Sequence, residues 1–466
     1  LIGHFVHRHL LLPAFETGLK RRKTLRYWRE LERTQWLGAR ELAERQLMGL
    51  RGLLSHAFAN CPYYRSDWSR RGLDPARVRS LEDFAAWPVI DRETIRAHRF
   101  EMRARGAGLG LISKSTGGSS GVPLQFDLDL GSNDRRMAAW HRGYGWAGAG
   151  PGTRQLYLWG VRLAAQRRLA RCKDRMYDWL YRKRVFSSFD MTREREDAFV
   201  RELNESRPDA IVAYTNPLYE MARSLVARGV RVYSPQSIVV GAEKLHGFQR
   251  EMIERAFGAP VFETYGSREF MLIGAECERH AGLHLTQENL RVEVLDDDGR
   301  PTAAGAEGNV VITDLYNYGM PFVRYANGDR AIAGGAADER CACGRGLAML
   351  RQVTGRRLDV LRTPDGRRIA GEFFPHLLKD FAAVARYQVV QERIDRVELR
   401  VVYGGAPMAP AERRHLEGQV RAALGPAVRF EVIEVAEIPL TAAGKLRVVV
   451  SHLPADGAAA AMAEAA

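Results

Sequence analysis

Ser115-Thr116-Gly117-Gly118-Ser119-Ser120-Gly121-Val122-Pro123 is the stretch on which the reading of this 466-residue chain turns. Its glycines free the backbone for close approach to a polyanion. Its hydroxyls and exposed amides supply donors to phosphate oxygens. No lysine follows Gly121, so the run is not the Gly-x-x-x-x-Gly-Lys-Ser/Thr loop of nucleotide kinases. Gly/Ser runs also serve as flexible linkers. The position of this one, just ahead of an apolar segment inside a domain, favours ligand binding.

The surrounding pattern is α/β. Upstream, Ala43, Leu47, Leu50, Leu54 and Phe58 recur at helical spacing. Asn60-Cys61-Pro62 closes that helix, because proline disfavours helix in the residue before it. Asp91 is placed to N-cap a second helix. Downstream, Leu156–Trp159, Ala210–Tyr214, Ser237–Val240 and Pro260–Phe262 are short apolar runs suited to buried strands of a parallel or mixed sheet, several of them separated by helical segments. Arg291–Leu295 and Asn309–Thr313 alternate instead, and predict an antiparallel subdomain. After Gly355 the order is strand (Tyr387–Gln391), strand (Val397–Val402), helix (Ala411–Leu424), strand (Phe430–Val435), a compact α+β unit. The expected organisation is a large N-terminal domain over 1–354, a small mobile C-terminal domain over 355–454, and a disordered alanine-rich tail over 455–466.

The Gly/Ser run resembles the phosphate-binding loop of the adenylate-forming superfamily of acyl-CoA synthetases, and further segments match that family in order. Gly241-Ala242-Glu243 is similar to the adenine-binding turn. Tyr265-Gly266-Ser267-Arg268-Glu269 resembles the tyrosine-glycine-x-x-glutamate motif, Tyr325-Ala326-Asn327-Gly328-Asp329 the glycine-aspartate motif, and Gly355-Arg356 the start of the hinge. Ile438-Pro439-Leu440-Thr441-Ala442-Ala443-Gly444-Lys445 resembles the C-terminal lysine motif. Cys61-Pro62-Tyr63-Tyr64-Arg65, Trp87-Pro88-Val89-Ile90, Gly282-Leu283-His284 and Cys341-Ala342-Cys343-Gly344-Arg345 look like the phenylacetate–CoA ligase branch, including its homologues in capsule-polysaccharide gene sets. The resemblance runs from about residue 40 to 450.

The resemblance implies a large adenylate-forming domain of mixed sheets and helices with a small α+β lid. It implies ATP, Mg²⁺ and CoA as cofactors and a small-molecule carboxylic acid as substrate. It gives Ser115, Thr116, Gly117, Gly118, Ser119, Ser120 and Gly121 to the phosphates. Gly241, Ala242, Glu243, Tyr265 and Gly266 go to the adenine side, and Asp329 and Arg356 to the ribose. Glu269 is the Mg²⁺ ligand, a hard cation needing oxygen. Lys445 is the catalytic cation that bridges phosphate and carboxylate. Acid-pocket residues are expected around His141–Trp146, Tyr214–Pro217 and Gly241–Glu243. Two departures stand out. Arg268 occupies a position where Ser or Thr is usual, and faces phosphate or forms a salt bridge. Leu358 replaces the first hinge aspartate, so the acceptor stays open between CoA, an amine or hydroxyl of a sugar, and a carrier protein. A non-catalytic nucleotide-binding homologue is the reading from another class.

Cys277, His284, Cys341 and Cys343 form a set of donors suited to one structural Zn²⁺, and some members of the branch carry such a cluster. His280 is an alternative ligand, and ordinary free cysteines the alternative to a metal. Five scattered cysteines exclude a disulfide scaffold. Lys plus Arg number 70 against 56 Asp plus Glu, a net charge of +14. No motif that reads nucleic acid accompanies the excess, so it is assigned to solvated faces, to anionic ligands or to a membrane surface. The basic segment His4–Arg33 either packs as a helix, the favoured reading, or makes peripheral membrane contact. No apolar run is long enough to span a bilayer and no signal peptide is apparent, so a cytoplasmic protein is expected, monomeric or homodimeric.

Overall fold

The computed structural model describes the chain apart from residues 1, 107–109, 117–123, 161–167, 189–190, 336–339, 355–360, 370, 372, 379, 382, 439–447 and 454–466. The glycine-rich part of the phosphate loop (Gly117, Gly118, Ser119, Ser120, Gly121), the hinge with Arg356, the Lys445 motif from Pro439 onward and the tail lie outside the described residues.

The strands run β1 Leu111–Ser115, β2 Gln125–Asp129, β3 Gln155–Trp159, β4 Lys183–Ser187, β5 Ala210–Tyr214, β6 Ser237–Gly241, β7 Val261–Ser267, β8 Met271–Glu276, β9 Leu283–Leu285, β10 Leu290–Leu295, β11 Glu307–Asp314, β12 Tyr325–Ala333, β13 Met349–Val353, β14 Leu361–Arg362, β15 Arg368–Ile369, β16 Val384–Arg393, β17 Arg396–Tyr403, β18 Arg429–Glu434 and β19 Val449–Ser451. Eleven of them make one sheet, in the order β10-β11-β12-β13-β9-β8-β7-β6-β5-β3-β4. From β4 to β7 neighbours are parallel. From β7 to β10 they are antiparallel. The strands expected to be antiparallel from their alternation are so, and they share one sheet with the parallel strands. The reason is β7, which continues past Phe262 to Ser267, pairs with β6 on one side and β8 on the other, and joins the two halves.

The parallel half is buried on both faces, as its near-continuous apolar strands require. Ile211, Ala213, Ile238, Val240 and Val261 face one core, which includes Phe199, Leu218 and Ile253 from the helices Arg193–Ser206, Thr215–Ala227 and Gly247–Phe257. The alternate residues Ala210, Val212, Val239 and Phe262 face the other, with Tyr144 of the helix Leu130–Trp146. The largest core joins the helix Ala39–Asn60 to the antiparallel half. That helix ends where Pro62 required, and Asp91 caps the helix Arg92–His98 by accepting from the Thr94 amide at 2.8 Å.

A four-stranded sheet, order β18-β17-β16-β19, and the helix Pro410–Leu424 enclose a further core that also takes in Tyr214 at the end of β5. An ion pair from Arg368 to Glu220 of the helix Thr215–Ala227 and a β-bridge from Arg368 to Met191, ahead of the helix Arg193–Ser206, link this unit to the large sheet's flank.

Candidate active site and metal centre

The hairpin β1–β2 carries the phosphate stretch. Register places Ser115 opposite Gln125. The Thr116 amide donates to the Leu124 carbonyl and the Leu124 amide to Thr116 Oγ1, both at 2.9 Å, so the ends of the loop are pinned together. Arg268 donates Nε to the Ser115 carbonyl at 3.3 Å. Of the two orientations left open, it thus turns toward the phosphate stretch, and no acidic partner is seen among the described residues. Beside it, Lys114 donates to Asn133 Oδ1 at 3.3 Å. Burial lowers the Lys114 pKa to about 8, helped by the nearby Arg136 and Arg268.

Gly241, Ala242 and Glu243 leave the end of β6. Ala242 adopts a positive φ of 70°. A Cβ at Gly241 would meet Thr264 Oγ1 at 2.6 Å, so glycine is what lets this turn lie against β7. Glu243 is clamped by Asn216, whose amide and Nδ2 each donate at 2.7 Å. Gln249 holds Asn216 in turn, at 2.7 Å.

The two acidic motifs converge. Tyr265 donates its hydroxyl to Asp329 Oδ2 at 2.8 Å, and Asn327 donates Nδ2 to the same oxygen at 2.7 Å. The Tyr265 ring itself lies in the large core with Phe270 and Tyr325. Its hydroxyl thereby holds Asp329 in place. Gly266 leaves no room for a side chain against the Met271 carbonyl. Glu269 is buried, with the Tyr325 hydroxyl at 3.4 Å and Arg92 at 3.7 Å from Oε1. Arg92, Lys114, Asn216, Tyr325 and Asn327 were not singled out from the sequence. Tyr325 and Asn327 lie inside a recognised motif and Asn216 inside the expected pocket segment Tyr214–Pro217, whereas Arg92 and Lys114 are ordinary cations until the fold aims them.

In the expected acid-pocket segment His141–Trp146, Tyr144 meets Thr264, which borders the Gly241 turn, and two other side chains are engaged with the helices and the cysteine cluster. His141 is buried among Trp28 and Trp140, and burial lowers its pKa to about 4. Trp146 donates to Gln35 and lies edge-on to His284, 5.6 Å between centroids. Asn216 lines a cleft of about 800 Å³ that runs to the turn Asp365–Arg368. The arginines on its walls are compensated, Arg368 and Arg223 by Glu220 and Arg367 by Asp365, so the cleft offers a phosphate little unbalanced charge.

The cysteine cluster is built by sheet register. Cys277 follows β8, His284 lies in β9 opposite Ala275 and Met349, and Cys341 and Cys343 sit on the approach to β13. The donor atoms of Cys277, His284, Cys341 and Cys343 all lie within 4.8 Å of one another. Cys277 and Cys341 sulfurs are 3.8 Å apart, and Cys343 Sγ is 3.3 Å from His284 Nε2. A tetrahedral zinc with Zn–S near 2.3 Å has sulfur–sulfur edges of about 3.8 Å. Burial lowers the His284 pKa to about 4, leaving the neutral imidazole that binds metal, and pushes the Cys277 thiol up to about 12. Three thiols, one buried and two half-buried, and a neutral imidazole converging on one point are donors suited to a divalent cation. His280, the alternative ligand, is instead 3.2 Å from Glu276.

The mixed sheet, the β1–β2 hairpin and the small four-stranded unit make a fold shared with a solved CoA ligase. A 2-hydroxyisobutyryl-CoA ligase in complex with 2-HIB-AMP and CoA, in the thioesterification state, superposes with a TM-score of 0.59 at 21% identity over 93% of this chain and 94% of that one. The same ligase in the postadenylation state gives 0.56. The homologues are phenylacetate–CoA ligases and CapK. The phenylacetate-coenzyme A ligase of Thermus thermophilus is 26% identical over 80% of this chain and 84% of its own length. Protein CapK of Staphylococcus aureus is 22% identical over 67% of each. Residues 361–452 match the CapK C-terminal domain.

Proposed function

We propose that this chain is an ATP-dependent, AMP-forming ligase that converts a carboxylic acid to its acyl-adenylate and passes the acyl group to CoA. The observation that carries the reading is the junction of Tyr265, Asn327 and Asp329 beside buried Glu269, with Arg268 tying that region to Ser115. One carboxylate oxygen of the acid attacks the α-phosphorus and pyrophosphate leaves; the acceptor then attacks the acyl carbon and AMP leaves. The first step gathers anions, so fixed donors and cations determine its rate. In this reading Ser115, Thr116 and the loop through Gly121 hold the leaving phosphates, with Lys114 of β1 as a neighbouring cation. Gly241, Ala242 and Glu243 border adenine. Asp329, oriented by Tyr265 and Asn327 and assisted by Arg356, accepts from the ribose. Glu269 holds Mg²⁺, which would neutralise phosphate charge. Lys445 bridges the α-phosphate and the acid. The names of the relatives point to an aryl acid as the first substrate class to try.

Leu358, in place of the hinge aspartate, supports a second reading in which the acyl acceptor is an amine, a sugar hydroxyl or a carrier protein. Mass spectrometry of the product formed with CoA, amino sugars and amines separates the two; an acyl-CoA supports the first. Cys277, His284, Cys341 and Cys343 are proposed to hold one structural zinc. Four protein ligands leave no open position, so the metal would fasten β8, β9 and the approach to β13 and take no part in the chemistry.

A further inference from the structure

Two short segments far apart in sequence pack together: Ile2–Leu19 and the helix Arg168–Leu180. Leu12, Phe15 and Leu180 are buried between them. Phe15 meets Tyr177 edge-on at 5.3 Å, and Glu16 is held by Arg22 and the Tyr181 hydroxyl. The favoured sequence reading, packing, therefore describes the inner face. The outer face is different. Phe5, Leu10, Leu19, Met176 and Trp179 are 59%, 58%, 71%, 48% and 61% exposed. They are five of the twelve exposed large hydrophobic residues among those described, so nearly half of the set falls on these two segments. Each ring has a histidine of the N-terminal segment beside it, His7 at 5.5 Å from Trp179 and His9 at 4.6 Å from Phe5. Around this face, Lys20, Arg21, Lys23, Lys173 and Arg175 are exposed. Nearby acids are largely spent: Glu16 on Arg22 and Asp178 on Lys183, leaving Asp174.

We infer that this face is a docking surface for an anionic lipid bilayer. Exposed Trp, Phe and Leu flanked by Lys and Arg are what a surface needs to lie in the headgroup region with its apolar side chains in the acyl boundary. No helix among the described residues is long and apolar enough to cross a membrane, so the attachment is peripheral. The cationic rim decides the occupant. Two copies of the face would set like charges against each other, whereas an anionic headgroup layer compensates them.

The test is co-sedimentation of the full chain with vesicles of phosphatidylglycerol and phosphatidylcholine in equal parts, against phosphatidylcholine alone. The expected result is partition at least roughly tenfold stronger to the anionic vesicles, weakened by salt. Phe5→Ser/Trp179→Ser should lose about tenfold or more of that binding. Lys20→Gln/Arg21→Gln should lose the preference for anionic lipid. Both variants should keep the wild-type AMP affinity and melt within a few degrees of wild type, since the altered side chains are largely exposed and lose only edge contacts. Absence of vesicle binding would overturn the inference, as would binding unchanged by either double substitution. So would a wild-type dimer that Phe5→Ser/Trp179→Ser converts to monomer, which would make a second copy the occupant.

Discussion

A Cβ added at Gly241 would sit 2.6 Å from Thr264 Oγ1, where real Cβ atoms keep about 3.0 Å. Relief by moving the hydroxyl is obstructed, because Thr264 is buried and donates Oγ1 to the Val240 carbonyl at 2.8 Å. Gly241→Ala must therefore either displace the turn 241–243 by some tenths of an ångström or break that hydrogen bond. Overpacking of a tight site costs about 1–3 kcal/mol, and an orphaned buried acceptor about as much. Only one of the two is incurred, so about 2 kcal/mol is expected, a fall in melting temperature of about 2 °C in a chain of this size. AMP affinity should drop about tenfold, since the displaced turn borders the nucleotide in the proposed site. The decisive comparison is with Thr264→Ala, which removes the obstructing atom. In that background Gly241→Ala should cost less than about 0.5 kcal/mol, a coupling that a double-mutant cycle read by thermal unfolding and by AMP titration would resolve. Equal costs in both backgrounds, or a Gly241→Ala protein indistinguishable from wild type, would refute the packing argument.

Other outcomes follow from the same geometry. Elemental analysis of the purified chain should find about one zinc per molecule, lost together with several degrees of melting temperature in Cys341→Ser/Cys343→Ser; a metal-free wild type of equal stability would remove the centre. Lys114 is cationic below its lowered pKa of about 8 and neutral above it. Pyrophosphate affinity should therefore fall as pH rises through 8, and Lys114→Gln should be weak and flat across that range. The lowered value carries a stability consequence of fixed sign. Folding disfavours the charged ammonium, so wild type should gain stability relative to Lys114→Gln as pH rises from about 8 toward the unfolded value of 10.5. Lys445→Ala should abolish acid-dependent pyrophosphate exchange while ATP affinity changes by no more than about threefold; full exchange in that variant would displace Lys445 from the chemistry.

What could be read from the sequence follows a physical division. Strand β5 was found at its observed limits because Ala210–Tyr214 is wholly buried and bounded by Pro208 and Asn216-Pro217. The helix Pro410–Leu424 was within one residue, helped by Pro410 at its first turn and Gly425 past its end. β7 was cut short because Glu263, Thr264 and Gly266 do not look like strand, yet their extension joins the sheet's two halves. β1 and β2 escaped for a related reason: Asp127 is fully buried in β2, and its charge is offset by Arg99 and Arg103 from another segment. At the site, residue types marked the cysteine cluster and the acidic motifs. The register that brings Cys277, His284 and Met349 onto neighbouring strands is a property of the assembled sheet. So is the approach of Arg92 to Glu269 across 177 residues of chain.

The most direct test of the central claim is exchange of labelled pyrophosphate into ATP by the wild-type chain, measured across a panel of aryl and alkyl carboxylic acids. The account predicts exchange that depends on both Mg²⁺ and one class of acid, because the acyl-adenylate forms reversibly before any acceptor is needed. ATP or AMP binding with no exchange for any acid in the panel would contradict it, and would make the chain a nucleotide-binding homologue that has lost the adenylation step.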